Sequence, residues 1–196
     1  MRNTVTTGIS LAAGLLLLAG CSGGQTGQAA QETTDTGTSA PTSTSGGAGV
    51  SLPERTAPAK SLDIADPCTV ITKQQALKLG TDRTPYPRTS EGQQGCSYQK
   101  GKAGSNSGWR VFVAPDFERT ISEAIETHPG GEKTEINNYP AYAANISGIG
   151  CYIAVDVAED GFLLVNGQVR PGENRPDPCP IFTKFAEAAI KNLPEA

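Results

Sequence analysis

The sequence lacks most of the groups on which hydrolases and transferases rely. It has a single histidine, His128, so a nucleophile would have only one candidate for its usual base. His128 stands directly before Pro129-Gly130, a position that favours a helix C-terminal cap over a catalytic base. A P-loop and a dinucleotide-binding fingerprint are also missing. These absences argue against an enzyme.

Carboxylate pairs are the remaining route to acid–base chemistry, and two groups of acids lie close together in the sequence. Asp156, Glu159 and Asp160 surround a predicted hairpin turn, and Asp63 precedes the predicted helix cap Asp66. Both settings favour turn and cap roles. Metal ligands are few as well, because the cysteines contain no C-x2-C pair and the acids lack EF-hand spacing. We therefore expect no metal and no cofactor.

Long apolar runs and an excess of positive charge are missing too. The one marked apolar run, residues 9–20, has twelve residues, whereas a membrane-spanning helix needs about 20. The chain has 16 lysines and arginines against 20 acids, a net charge of −4. An acidic chain without a basic face does not favour a nucleic-acid partner, and it offers no polybasic patch to anionic lipids.

The short apolar run fits a secretory signal peptide that ends in a lipoprotein cleavage box. Arg2 precedes the run, and Leu18-Ala19-Gly20-Cys21 places small residues before a cysteine. We predict cleavage between Gly20 and Cys21, so that residues 1–20 form the signal peptide. Diacylglycerol on the Cys21 sulfur and a fatty acyl chain such as palmitate on its amine would anchor the protein to the outer face of the cell membrane. A plain signal peptide with a chance cysteine is the alternative.

A polar, low-complexity segment follows, and we assign residues 21–60 to the lipidated cysteine and a disordered tether. The segment is rich in Ser, Thr, Gly and Pro, and between Ser22 and Pro53 its only charges are Glu32 and Asp35. Such a composition cannot bury enough surface to offset its conformational entropy. As a flexible coil the tether would span roughly 30–40 Å and act as a spacer. Glycosylation of its Ser and Thr residues is an open alternative.

Residues 61–196 are long enough for one globular domain, and this domain contains four cysteines. An even number of cysteines outside the membrane favours two disulfides, for which three pairings exist. Cys68 and Cys96 are 28 residues apart, and so are Cys151 and Cys179. We favour these two local bridges, Cys68 with Cys96 and Cys151 with Cys179, over the other pairings.

Helical and strand patterns alternate along the domain and predict an α+β fold. Asp66-Pro67 and Asp177-Pro178 are typical helix starts, and Asp116 is interpreted as the cap of a further helix. Residues 81–95, which include two prolines, are interpreted as a loop. Strands are expected near residues 96–99, 109–113, 133–137, 141–147, 151–157 and 162–165. We expect an antiparallel sheet of five to six strands with about three helices, mainly on one face, braced by two disulfides.

Two polar loops carry the candidate binding residues. The first has Arg83, Tyr86 and Arg88, and the second has Arg170 and Arg175. Loops on a rigid scaffold are the usual place for recognition, although a pair of solvated loops is the simpler interpretation.

Several of these features together resemble the actinobacterial lipoproteins that carry the domain of unknown function 3558. The resemblance rests on the following features: the cleavage box, the tether, Asp66-Pro67-Cys68 opening a short helix, Gly95-Cys96-Ser97-Tyr98, the Cys151-led strand and Cys179 opening the last helix. Members of that family more often have tryptophan where Tyr98 stands. The resemblance covers nearly the whole chain and implies an extracytoplasmic location, two disulfides and an actinobacterial source. It brings no established activity.

These observations lead us to expect a non-catalytic binding or accessory domain of the cell envelope. Besides the bilayer that holds Cys21, its partner would be an unknown envelope component or membrane protein. Two alternatives stay open. One is an envelope hydrolase that uses carboxylates, and the other is a carrier of an apolar ligand, which would need a cavity between the sheet and the helices.

Overall fold

The structure is a computed structural model that describes residues 51–102, 104–172 and 175–196. The predicted cleavage box at residues 18–21 and the predicted tether up to residue 50 lie outside the described residues. Within the described part of the chain, no helix is both long enough and apolar enough to cross a bilayer.

Within the described residues, seven strands pair into one antiparallel sheet. In chain order they are β1 (Tyr86–Ser90), β2 (Gln93–Lys100), β3 (Trp109–Asp116), β4 (Glu132–Ile136), β5 (Tyr139–Ile146), β6 (Gly150–Val155) and β7 (Phe162–Val169). Across the sheet they follow the order β1-β2-β3-β7-β6-β5-β4. The last strand of the chain therefore lies at the centre, between β3 and β6.

The prediction of five to six strands is wrong because it omits the edge strand β1. Residues 81–95 have the prolines typical of a loop, but Tyr86–Ser90 pairs with β2. An edge strand tolerates proline, since one side of its backbone has no partner strand to receive an N–H. Pro87, which lies opposite Cys96, is in this edge strand. The other six strands lie where the alternation of apolar and polar residues predicts them.

Three α-helices in the described part of the chain complete the α+β fold. They are α1 (Lys73–Lys78), α2 (Ile121–Thr127) and α3 (Pro178–Ile190). The two predicted Asp-Pro helix starts are confirmed. The Asp66 side chain accepts a hydrogen bond from the Cys68 N–H in a 3-10 turn, and the Asp177 side chain does the same for the Cys179 N–H at the start of α3. Each cap satisfies a backbone donor that the helix itself leaves free.

The predicted helix start at Asp116 is wrong, because α2 begins five residues later. Asp116 is the last residue of β3, and Thr120 caps α2 through a reciprocal capping box with Glu123. Asp116 nevertheless behaves like a cap in one respect. Its Oδ1 accepts hydrogen bonds from the backbone N–H groups of Glu118 and Arg119, both at 3.2 Å. Asp116 thus accepts backbone hydrogen bonds as a cap residue does, but it ends a strand instead of starting a helix.

The two faces of the sheet are covered unequally. On one face α3 packs over a large core, in which the ring of Phe185 lies 5.4 Å from that of Tyr98 and 5.2 Å from that of Trp109. On the other face the short helix α2 covers a smaller core that includes Phe112 and Ala154. Because α2 has only seven residues, part of the second face stays open.

Disulfide bonds join Cys68 to Cys96 and Cys151 to Cys179. These are the two local pairs that the sequence favours. In each pair the first helical turn after an Asp-Pro sequence is bonded to a strand, β2 or β6. Both bridges lie in or beside the core under α3, so they connect helical starts to the same face of the sheet.

Residues 51–60, the end of the predicted tether, lie along the domain. Arg55 forms an ion pair with Asp156, at 3.2 Å. The Pro58 carbonyl accepts a hydrogen bond of 2.7 Å from the Tyr139 hydroxyl. These residues therefore contribute contacts to the folded part of the chain.

Candidate functional site

The open part of the second sheet face forms a groove of about 410 Å3 beside the end of α2. The strand register explains which side chains face it. Arg110 lies opposite Gln168 and Phe112 lies opposite Asn166 across β3 and β7, while Asn166 lies opposite Tyr152 on β6. Residues two apart in a strand share a face, so all five point to the side that carries α2. A groove of this volume is of the size that holds small molecules.

We call this feature the sheet groove. The residues that matter for its chemistry are Arg88, Glu91, Arg110, Tyr152, Asn166 and Gln168.

Arg88 and Arg110 supply the positive charge of the sheet groove. Arg88 is half-buried on β1, and its guanidinium lies 5.9 Å from the centre of the Phe112 ring, a cation–π distance. Gly95 on β2 lies opposite Arg88 on β1 and leaves room for this arrangement. A Cβ at Gly95 would lie 2.6 Å from Phe112 Cζ and 2.4 Å from the Val113 carbonyl oxygen, so no larger residue fits there. Arg110 is exposed on β3.

Glu91, the carboxylate of the sheet groove, is held by two neighbours. Its Oε1 accepts a hydrogen bond of 2.9 Å from Asn166 Nδ2, and its Oε2 lies 3.6 Å from Arg119 Nη2. Arg119 also donates to the buried Asp116 carboxylate, at 2.8 Å from Nε and 2.5 Å from Nη2. Burial alone would lower the pKa of Arg119, but its hydrogen bonds to Asp116 together with the neighbouring acidic groups, Glu91 among them, outweigh burial and raise that pKa. Glu91 thus already has a permanent cationic partner.

Tyr152 and His128 form the aromatic part of the sheet groove. Their rings stack with centroids 3.7 Å apart and planes tilted by 14°. His128 is the C-cap of α2, as predicted, and its Nδ1 lies 3.2 Å from the Ala124 carbonyl oxygen. Burial raises the pKa of Tyr152 well above its usual value, so the phenol keeps its proton at neutral pH. Its buried hydroxyl has no hydrogen-bond partner among the described residues.

The chain matches one family model. Residues 16–192 match the family described as "Protein of unknown function (DUF3558)". The chain belongs to this family. Neither a curated protein nor a solved structure matches it. The match agrees with the resemblance seen in the sequence motifs, and it attaches no activity to the sheet groove of this DUF3558 member.

Three of the five predicted loop residues of this DUF3558 member lie at or near β1. Arg88 lines the sheet groove, and Tyr86 precedes it by two residues on the same strand, where its hydroxyl accepts a hydrogen bond of 2.7 Å from Gln99 Nε2. Both are strand residues, so their assignment to a loop is wrong for the same reason that β1 was missed. Arg83 is exposed before β1 begins.

The other two predicted residues, Arg170 and Arg175, line a different depression. Arg170 has an internal role, because its Nη1 donates to the Lys102 carbonyl and, at 3.0 Å, to Ser105 Oγ. This arginine thus joins two loops. Arg175 is exposed. The structure therefore does not bring the two predicted arginine groups together.

Most residues of the sheet groove carry no signal in the sequence. Arg110, Tyr152, Asn166 and Gln168 are ordinary members of three separate strands. Alternation along each strand shows which side a residue takes, but only the insertion of β7 between β3 and β6 brings the four together. The chain order does not indicate this insertion.

Three of the five acids considered for acid–base chemistry have structural partners. Asp156 and Glu159 both contact Arg55. Burial raises the pKa of Asp156, an effect that Arg55 opposes and Glu159 adds to. Asp66 caps the first 3-10 turn. Across the described residues, no cluster of three or more His, Cys, Asp or Glu side chains is placed to hold a metal.

Ser97 and Lys100 have the spacing of the S-x-x-K motif found in some serine enzymes. On β2 they face opposite sides of the sheet, because Ser97 lies opposite Phe112 and Lys100 lies opposite Trp109. An odd separation within a strand always has this result. The two side chains are therefore not placed to act as nucleophile and base.

The space between the sheet and α3, where an apolar carrier would have its cavity, is filled by aromatic side chains. Tyr98, Trp109 and Phe185 are in contact there, and none of them is more than 5 % exposed. Because that side is packed, the sheet groove on the opposite face is the candidate site.

Proposed function

We propose that this protein is an actinobacterial lipoprotein, anchored through acylated Cys21 to the outer face of the cell membrane, and that its domain binds an envelope component in the sheet groove. The function needs no catalytic step. The observation that carries the binding role is a preformed groove with two arginines, Arg88 and Arg110. Neither has a carboxylate partner among the described residues. A charged side chain without a partner in a concave site is available to a ligand.

Three features support the anchored location. The cleavage box ends in a cysteine, which an ordinary signal peptide does not require. The two disulfides suit an oxidising compartment. The residues between Cys21 and the described domain, if they form a flexible coil, would span roughly 30 Å and hold the groove away from the lipid headgroups.

Replacement of the predicted lipidation site should release the protein from the membrane. In Cys21→Ala the diacylglycerol and acyl chains have no attachment point, so we expect nearly all of the protein in the soluble fraction of lysed, sedimented cells. Ser22→Ala, at the neighbouring position, should stay with the membrane. A Cys21→Ala protein that still sediments with membranes would refute the anchor, and equal release of both variants would show a general defect in export.

Crosslinking in intact cells tests the binding role directly. Gln168 lines the sheet groove and is exposed, so a photoreactive amino acid there should capture the bound envelope component. Lys184 on α3, equally exposed but on the opposite side of the sheet, is the matched control position. We expect a crosslinked product from position 168 and none of the same mass from position 184. The same products from both positions would indicate random collisions and contradict a groove-bound ligand.

A further inference from the structure

The sheet groove concentrates positive charge in an acidic chain. The chain carries a net charge of −4, yet Arg88 and Arg110 line one groove. Within the described residues, ion pairs are formed by Arg55, Lys60 and Arg119, and neither groove arginine is among them. Two uncompensated guanidinium groups in one concave site attract an anion.

Glu91 does not neutralise these two arginines. Its carboxylate already accepts from Asn166 and faces Arg119, which is itself tied to Asp116. The triad of Asp116, Arg119 and Glu91 contains one cation and two acids and so has a net charge of −1, which together with Arg88 and Arg110 leaves this region with a net charge of +1. What stays available to a ligand is the guanidinium pair.

Neutral polar residues line the sheet groove together with the two arginines. Tyr152 lines the sheet groove through its ring, while its hydroxyl is buried and has no hydrogen-bond partner among the described residues. The Gln168 amide and the Ser90 hydroxyl also line the groove. The sheet groove therefore combines two guanidinium groups with neutral hydrogen-bond donors, in a volume suited to a small molecule.

We infer that the sheet groove binds the phosphate group of a small phosphorylated molecule. This inference rests on the proposed binding function and names the chemistry of its ligand. A phosphate has enough oxygens to accept from both Arg88 and Arg110, and the planar guanidinium group matches its geometry. A neutral sugar would leave both charges unpaired, and an acetate-sized carboxylate has only two oxygens, enough for one bidentate guanidinium contact.

Thermal unfolding of the full-length protein in detergent micelles tests this inference, with glycerol 3-phosphate as the probe. At constant ionic strength, a ligand that binds the folded state raises the unfolding midpoint, and the concentration dependence gives an apparent Kd. We expect a saturable rise with glycerol 3-phosphate and a much smaller one with sodium acetate. Arg88→Gln/Arg110→Gln should weaken the apparent Kd at least tenfold. Lys184→Gln, which removes an exposed cation on the opposite side of the sheet, should change it less than twofold.

Three outcomes would overturn the inference: no saturable rise, an equal rise with acetate, or an equal loss in Lys184→Gln. If position 168 gives a crosslink in cells but glycerol 3-phosphate does not raise the unfolding midpoint, the proposed binding function stands and only a phosphate ligand is ruled out. Glycerophosphoglycerol, a diester, serves as the second probe. Tighter binding of this diester than of glycerol 3-phosphate supports a lipid headgroup as the source, and the reverse order supports a free phosphate monoester.

Discussion

The double variant Cys151→Ala/Cys179→Ala is expected to lose about 3–4 kcal/mol of unfolding free energy. The bridge closes a sequence separation of 28 residues, and the chain-entropy model assigns this magnitude to a loop of that length. Cys151 is on β6 and 1 % exposed, and Cys179 is in the first turn of α3. Without the bond, the unfolded chain regains the freedom that the crosslink removes. Urea unfolding followed by circular dichroism measures the difference.

The second bridge provides the matched control for this variant. Cys68–Cys96 also closes a separation of 28 residues, so Cys68→Ala/Cys96→Ala should lose a similar amount if loop entropy dominates. A loss below about 1 kcal/mol in either variant would contradict the entropic account. The Cys151 bridge has a further consequence for the site. Its strand also carries Tyr152, so a looser β6 should weaken ligand binding in the sheet groove, whereas the bridge to β2 should have less effect.

The features that were predictable from the sequence are those determined by neighbouring residues. An aspartate followed by proline determines a helix start within a few residues, and both Asp66 and Asp177 behave as expected. Alternation along a strand is equally local, and it located six of the seven strands. The equal spacing within the two cysteine pairs favoured local bridges, which the structure contains.

The features that the sequence could not predict depend on partners far away in the chain. Pro87 is incompatible with a central strand and compatible with an edge strand, and only the sheet order tells which one β1 is. Asp116 accepts backbone N–H groups in the manner of a cap, but its main partner is the Arg119 side chain, and α2 starts at Ile121. The local sequence pattern therefore correctly indicated that Asp116 accepts backbone hydrogen bonds, but it placed the start of α2 too early.

The sheet groove contains one residue that the local sequence indicates and others that only the fold brings together. Arg88 was a candidate because arginine, tyrosine and proline occur together around it, a compositional signal. Arg110 and Gln168 were not candidates, since each lies in a strand pattern and not in a polar loop. They meet because β7 lies between β3 and β6 and because α2 is too short to cover the sheet. A site built on a sheet face from non-consecutive strands is therefore visible only after the strand order is known.

Truncation of two buried phenylalanines, one on each face of the sheet, is expected to separate stability from binding. Phe112 is 1 % exposed and lies beneath Arg88, while Phe185 is fully buried against Tyr98 and Trp109. Phe112→Ala and Phe185→Ala should each lose about 3–4 kcal/mol of unfolding free energy, because each leaves a cavity in a packed core. Only Phe112→Ala also removes the ring that positions the Arg88 guanidinium. We expect its apparent Kd for glycerol 3-phosphate to weaken about fivefold.

Phe185→Ala is the control for this comparison, because it has a similar loss of stability and lies on the face away from the sheet groove. Its apparent Kd should stay within about twofold of the unmodified protein, measured well below the unfolding midpoint of each variant. Equal weakening in both variants would show that binding follows global stability and not the position of Arg88. Unchanged affinity in Phe112→Ala would show that Arg88 keeps its position without the Phe112 ring. The ring would then contribute nothing to ligand binding, and the space left by Gly95 would be enough to place the guanidinium.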